Sequence, residues 1–238
     1  MALAENIQAV KDRMAAAAQE AGREASSVTL VAATKVQTSD TIRAAIAAGI
    51  TVCGENRVQE MTAHLADNAY EGAALHFIGH LQTNKVKFVV GRAGLIESVG
   101  SLRLLEAIEA QAAKLDLVQD ILIEVNIGGE ESKSGVPAEE LFPLAERALL
   151  LPHIRLRGLM AIPPAAEEIH GSRPFFAKMR RLFVDIKDKM NDNKTIMDYL
   201  SMGMSQDYED AIREGATLVR VGTALFGPRP PIRRPDTP

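Results

Sequence analysis

The chain has 238 residues, 47% hydrophobic and 24% charged, which suits one large α/β domain or two small ones. A net charge of −4 argues against a nucleic-acid binder, and no apolar stretch approaches a membrane span. The single cysteine, Cys53, excludes an internal disulfide and fits a reducing compartment.

At the N-terminus, Ile7, Val10, Met14 and Ala18 recur at helical spacing. Glu5, Lys11, Asp12 and Arg13 interrupt any apolar core, so this is not a signal peptide, and a cytoplasmic location is expected. Apolar runs that read as buried strands follow at Val28–Ala33, Ile50–Cys53, Leu75–Ile78, Gly94–Val99, Ile121–Asn126, Leu156–Met160, Tyr199–Met202 and Leu218–Val221. Between them lie helical patterns. Thr38 or Ser39 caps the first, which ends at Gly49, and Val58, Met61 and Leu65 stripe the next. Further helices are expected over Thr83–Gly91, Ser101–Leu115, Pro137–Leu151 and Ser172–Met190, with Pro143 kinking or shortening the third of these. A last helix runs from a cap at Ser205 to Gly215. Eight strands alternating with helices predict an α/β fold, a single (β/α)8 TIM-type barrel with an extra N-terminal helix. An open doubly wound sheet is the alternative. Residues 1–227 form the barrel domain, and 228–238, with five prolines and three arginines, read as a proline-rich mobile tail.

Barrels place their sites at the C-terminal ends of strands. Lys35 stands there after the first strand, where its ammonium must be solvated, paired or used. It either snorkels from the barrel mouth or supplies an amine. Leu200-Ser-Met-Gly-Met-Ser205 and Gly222-Thr223 follow strands seven and eight, where barrels commonly hold a phosphate. Ser201, Ser205 and Thr223 offer hydroxyls, and Gly203 and Gly222 allow close backbone approach. Together with Lys35 they favour a phosphate site over ordinary glycine turns. An imine-forming lysine beside a phosphate cradle is the combination that pyridoxal 5′-phosphate requires.

Arg220 interrupts an apolar strand and needs an acceptor, either a pyridine nitrogen or a structural carboxylate. Asn56, in Gly54-Glu-Asn-Arg-Val-Gln-Glu60, either reaches a cofactor or serves a helix start. His76 and His80 bracket Phe77-Ile-Gly79, but no third ligand is near, so no metal is expected. His80 is the better candidate for a pocket polar group. The stretch Gly128–Gly135, with Glu130, Glu131 and Lys133, reads as a charged surface loop, and Cys53 as core.

The motifs Thr34-Lys35, Gly54–Glu60, His76–Lys85, Glu124-Val-Asn126 with Lys133-Ser-Gly135, Arg157–Pro164, Leu200–Ser205 and Arg220–Gly227 occur in one order. In that order the chain resembles the pyridoxal phosphate homeostasis proteins, whose barrel is like the N-terminal domain of alanine racemase. The resemblance implies that Lys35 is the Schiff-base lysine. It implies that Ser201, Gly222 and Thr223 cradle the phosphate, that Arg220 meets the pyridine nitrogen, and that Asn56, Met202 and Ser205 are pocket positions. The family often has proline soon after the lysine, where Val36-Gln37 stand here.

The expectation is a pyridoxal 5′-phosphate-binding protein that carries the cofactor as a lysine imine and acts in vitamin B6 and amino-acid homeostasis, without a defined reaction. The alternative is a fold-type III amino-acid racemase-like enzyme. Racemisation needs an acid/base opposite the lysine, for which Tyr70, Tyr199, Tyr208 and His80 are the candidates. Expected partners are the cofactor, free amino acids and, transiently, apo enzymes that use it. No nucleic acid, membrane or second copy of the chain is expected.

Overall fold

The computed structural model describes residues 2–130, 133–165, 168–190 and 197–228. The proline-rich tail beyond Pro228, and Glu131 of the charged loop, lie outside the described residues. Eight parallel strands close into a barrel in sequence order. They are β1 (Thr29–Ala33), β2 (Val52–Glu55), β3 (Ala74–Phe77), β4 (Leu95–Val99), β5 (Gln119–Val125), β6 (Ile154–Ala161), β7 (Tyr199–Ser201) and β8 (Leu218–Val221). The register aligns Val31 with Val52 on one side and with Arg220 on the other, so β8 closes on β1.

The helices are α1 (Ala2–Glu20), α2 (Ser39–Ala47), α3 (Val58–Ala66), α4 (Leu102–Lys114), α5 (Leu141–Leu149), α6 (Arg173–Lys189), α7 (Tyr208–Arg213) and α8 (Thr223–Phe226). Helix α1 buries Ile7, Val10, Met14, Ala17 and Ala18 and packs against α7 and α8. The layer between strands and helices fully buries Met61, Phe77, Ile108 and Phe176, each contributing about 1.5–3 kcal/mol.

Three helix expectations change. Thr83–Gly91 folds as a 3-10 turn over Thr83–Phe88. The Pro137–Leu151 segment splits into a 3-10 turn at Ala138–Glu140 and a shortened α5. Pro143 then sits in the first turn of α5, where its missing N–H costs nothing. Helix α7 begins at Tyr208, not at Ser205, and the Ser205 hydroxyl is engaged elsewhere. Helix α8, directly after β8, is an element that the sequence reading lacked.

The barrel interior has two levels. Val31, Val52, Leu95, Leu122, Met160 and Leu218 form an apolar cluster with Ala33 and Ile78. Strand alternation puts His76, Glu97, Glu124 and Arg220 on this same inward face. The inside of the barrel is therefore partly charged.

Candidate functional site

A cavity of about 830 Å³ opens at the C-terminal ends of the strands. Lys35, Asn56, Ser205, Arg220, Gly222 and Thr223 all line it. Ala33 and Ile78 from the inner apolar cluster line it as well. Ser201 and Met202 are fully buried and lie outside its lining.

Lys35 is half-buried in a turn that follows β1. The Thr34 hydroxyl beside it donates to Glu55 Oε1 at 2.6 Å. Asn56 extends from the end of β2, and its Oδ1 is buried without a hydrogen-bond partner among the described residues. A Cβ at Gly79 would fall 2.1 Å from the Asn56 carbonyl oxygen. Only glycine lets the end of β3 close against this residue.

Across the mouth, the amides of Gly222 and Ala224 both donate to the Ser205 hydroxyl oxygen, at 3.2 and 3.3 Å. Ser205 thus ties the β7 loop to the start of α8. Two N–H groups aimed at one oxygen form the kind of concavity that receives an anionic oxygen.

Arg220 is 4% exposed yet reaches the cavity wall. Its guanidinium donates to Ser201 Oγ at 2.5 Å and to the Ala161 carbonyl at 3.0 Å. Ser201 Oγ donates in turn to Glu97 Oε2 at 2.5 Å, and Glu97 Oε1 meets His76 Nδ1 at 2.7 Å. Burial pushes the Glu97 carboxyl up, but the His76 hydrogen bond and charge, with Arg220 and Ser201, bring it net below its ordinary value. Burial lowers the Arg220 pKa, and Glu97, Glu124 and Asp207 oppose that. Glu124 goes the other way, raised by burial against the pull of Arg220. Arg220 therefore has a structural carboxylate at 4.0 Å and a face on the cavity at once.

The remaining side chains divide clearly. His80 is exposed and meets Ser134 Oγ at 3.2 Å, so it is not the pocket group expected of it. Tyr70, Tyr199 and Tyr208 also lie outside the cavity lining. Tyr70 is buried against Glu55, and Tyr199 lies under the Arg157 guanidinium. Cys53 is fully buried, and burial, then Glu55, pushes its thiol up to about 12. Such a thiol is inert. Among the described residues, no group of three His, Cys, Asp or Glu is arranged to hold a metal, and no helix is long and apolar enough to cross a membrane.

Sequence reading missed His170, which lines the cavity and meets Asp210 Oδ2 at 2.6 Å. The two are 40 positions apart, and no local pattern links them. It also missed Glu97, although a glutamate within Leu95-Ile-Glu-Ser-Val99 breaks an apolar run as plainly as Arg220 does.

Comparison with known proteins gives one consistent answer. The family model for the alanine racemase N-terminal domain matches residues 1–230. A pyridoxal phosphate homeostasis protein of Aquifex aeolicus is 44% identical over 225 residues, which is 94% of this chain and 97% of the relative. One from Pseudomonas aeruginosa is 41% identical over 95% of this chain and 96% of its own length. Among solved structures, PipY of Synechococcus elongatus, with PLP bound, superposes with a TM-score of 0.82 at 30% identity, covering 94% of this chain and 100% of PipY. A protein of Bifidobacterium adolescentis reaches 0.88 at 39% identity, with 94% of both chains covered. Alanine racemase of Streptomyces coelicolor, at 20% identity and a TM-score of 0.73, shares the barrel over 96% of this chain and 58% of its own.

Proposed function

Since the chain belongs to the alanine racemase N-terminal domain family and, within it, to the pyridoxal phosphate homeostasis proteins, we propose that it binds pyridoxal 5′-phosphate and serves vitamin B6 and amino-acid homeostasis. One observation carries the reading. An amine, a pair of convergent amides and a buried guanidinium share one cavity. The cavity also holds a buried polar atom, Asn56 Oδ1, that lacks a hydrogen-bond partner among the described residues. The donor set fits the cofactor's aldehyde, phosphate and ring. When bound, the cofactor supplies an electrophilic aldehyde and an aromatic ring able to delocalise charge.

Lys35 would supply the amine for the cofactor's aldehyde. The amides of Gly222 and Ala224, which here donate to Ser205, would with Ser205 and Thr223 hold the phosphate. Ser201 and Met202 act from behind the wall, Ser201 by orienting Arg220. Arg220 stays protonated and would offer N–H groups to the ring nitrogen, a setting that would disfavour protonation there. Carbanion stabilisation is weaker on such a ring than on one facing a carboxylate. The protein then works as a carrier, with free amino acids and apo enzymes as its expected contacts, and as a monomer in the cytoplasm.

A racemase-like activity is the second reading. The His170–Asp210 pair on the cavity wall favours it, because it supplies an acid/base that the three tyrosines do not. One experiment separates the two. Borohydride reduction of the loaded protein with peptide mapping should label Lys35, and the Lys35→Ala variant should take no label. Labelling elsewhere, with Lys35 unmodified, rejects the assignment. The same preparation, assayed for deuterium uptake at the α-carbon of free amino acids, should show little Lys35-dependent exchange. Exchange at about 1 per second or faster restores the enzyme.

A further inference from the structure

Lys35 lies in a turn with an unusual conformation. The Gln37 amide donates to the Thr34 carbonyl at 3.0 Å, which makes Lys35 and Val36 the two central residues of a β-turn. Val36 has φ of +60°, whereas Lys35 is not among the positive-φ residues. This is the pattern of a type II turn, whose third position favours glycine or asparagine. A β-branched valine there is strained. Something outside the turn must favour this form over the unstrained type I turn.

The two turns differ by a flip of the central peptide, here the bond between Lys35 and Val36. In the form observed, the Val36 amide donates to Glu60 Oε2 at 3.0 Å. The other Glu60 oxygen accepts from Arg57 Nη1 at 3.1 Å, which fixes the carboxylate. In the flipped turn the Lys35 carbonyl oxygen would point towards the carboxylate instead, placing two acceptors together. On the other flank, Thr34 is tied to Glu55. Both glutamates come from the single segment Gly54–Glu60, which so brackets Lys35 from either side.

We propose that Glu60 is a positioning residue for Lys35. Its carboxylate selects the strained peptide orientation, and that orientation fixes the backbone from which the Lys35 side chain enters the cavity. Rotamer choice follows backbone conformation, so a peptide flip redirects the amine. The proposal rests on the proposed function for its purpose, but the clamp itself is testable without the cofactor.

The test uses the cofactor-free chain and the variants Glu60→Ala, Glu60→Gln and the double variant Glu60→Ala/Val36→Gly. Exchange of the Val36 amide with solvent is followed by NMR. The reactivity of Lys35 towards an acylating reagent is followed against pH by peptide mapping, with the other lysines as internal references. Uptake of pyridoxal 5′-phosphate is measured last. In Glu60→Ala the Val36 amide should exchange faster, the Lys35 profile should shift, and uptake should slow on the order of tenfold. Glu60→Gln keeps an acceptor oxygen and should stay near the parent. In the double variant, glycine adopts the left-handed conformation without strain, so the Lys35 profile and uptake should return towards the parent. That rescue is specific, because glycine at position 36 replaces none of the contacts of Glu60. An unchanged amide and Lys35 profile in Glu60→Ala overturns the proposal, as does a loss that Val36→Gly does not restore. If the parent itself fails to take up the cofactor at Lys35, the proposed function falls, while the amide and acylation data still decide the clamp.

Discussion

Two fully buried glutamates organise polar networks on opposite faces of the same sheet. Inside the barrel, Glu97 is satisfied at both oxygens, by His76 and by Ser201, with the Arg220 guanidinium at 4.0 Å. Outside, beneath α3, Glu55 Oε1 gathers the Thr34 hydroxyl at 2.6 Å, the Tyr70 hydroxyl at 2.9 Å and His64 Nδ1 at 3.2 Å. Its Oε2 has no hydrogen-bond partner among the described residues. The inner network opposes a fixed positive charge to a carboxylate. The outer one sets the Thr34 and Tyr70 hydroxyls and the His64 imidazole around its carboxylate. Charge is concentrated where a polar cofactor is proposed to sit, whereas the outer cluster fixes the strand from which Lys35 emerges.

The largest expected effect comes from removing the positive charge. Arg220→Met removes the guanidinium that favours the ionised forms of both Glu97 and Glu124 inside the barrel. Breaking a buried pair in this way costs about 3–5 kcal/mol. Urea unfolding of the cofactor-free chain measures it. A loss below that of the outer-cluster variant would break the contrast drawn between the two networks.

Glu55→Gln should cost less, about 1–3 kcal/mol. One acceptor oxygen remains for the Thr34 and Tyr70 hydroxyls, and the new amide group is buried where Oε2 had no hydrogen-bond partner among the described residues. The same urea series checks this, and an unchanged midpoint would show that the outer cluster contributes nothing to stability.

The smallest effect is a gain. The Glu124 pKa is raised in the fold, so its contribution is present at low pH and is lost as pH rises through the raised value. Glu97 is lowered, so its contribution is present above the ordinary carboxylate value and is lost as pH falls through the lowered one. Glu124→Gln should therefore raise the unfolding midpoint slightly at neutral pH, and the gain should vanish in acid. A gain that persists in acid would mean that Glu124 is not the group being relieved.

Much of this was legible beforehand, for identifiable reasons. The eight strands were visible because buried parallel strands are continuous apolar runs. Their ends moved by no more than two residues, as with β2 at Val52–Glu55 in place of Ile50–Cys53. Lys35 and Arg220 stood out because a charge in an apolar run is costly unless it has a use. Ser205 was misread as a helix cap. A serine before a helix has the same local pattern whether it caps that helix or, as here, holds amides 17 and 19 residues downstream. Thr83–Phe88 misled because Val86 and its neighbours repeat at a spacing that 3-10 and α turns share over so few residues.

The sequence by itself determined the alternation of strands and helices, the lysine at the end of β1 and the small-residue turn after β8. Each of these is a local property, set by hydrophobic period, by glycine and by charge within a few positions. Tertiary structure alone decided which way the polar side chains act. Ser201 turns inward to bridge Arg220 and a glutamate 104 residues away, and does not line the cavity. Barrel closure makes that pairing, because the register of β7 on β6 and β8, and of β8 on β1, fixes which side chains share a level. No short window of sequence contains that information.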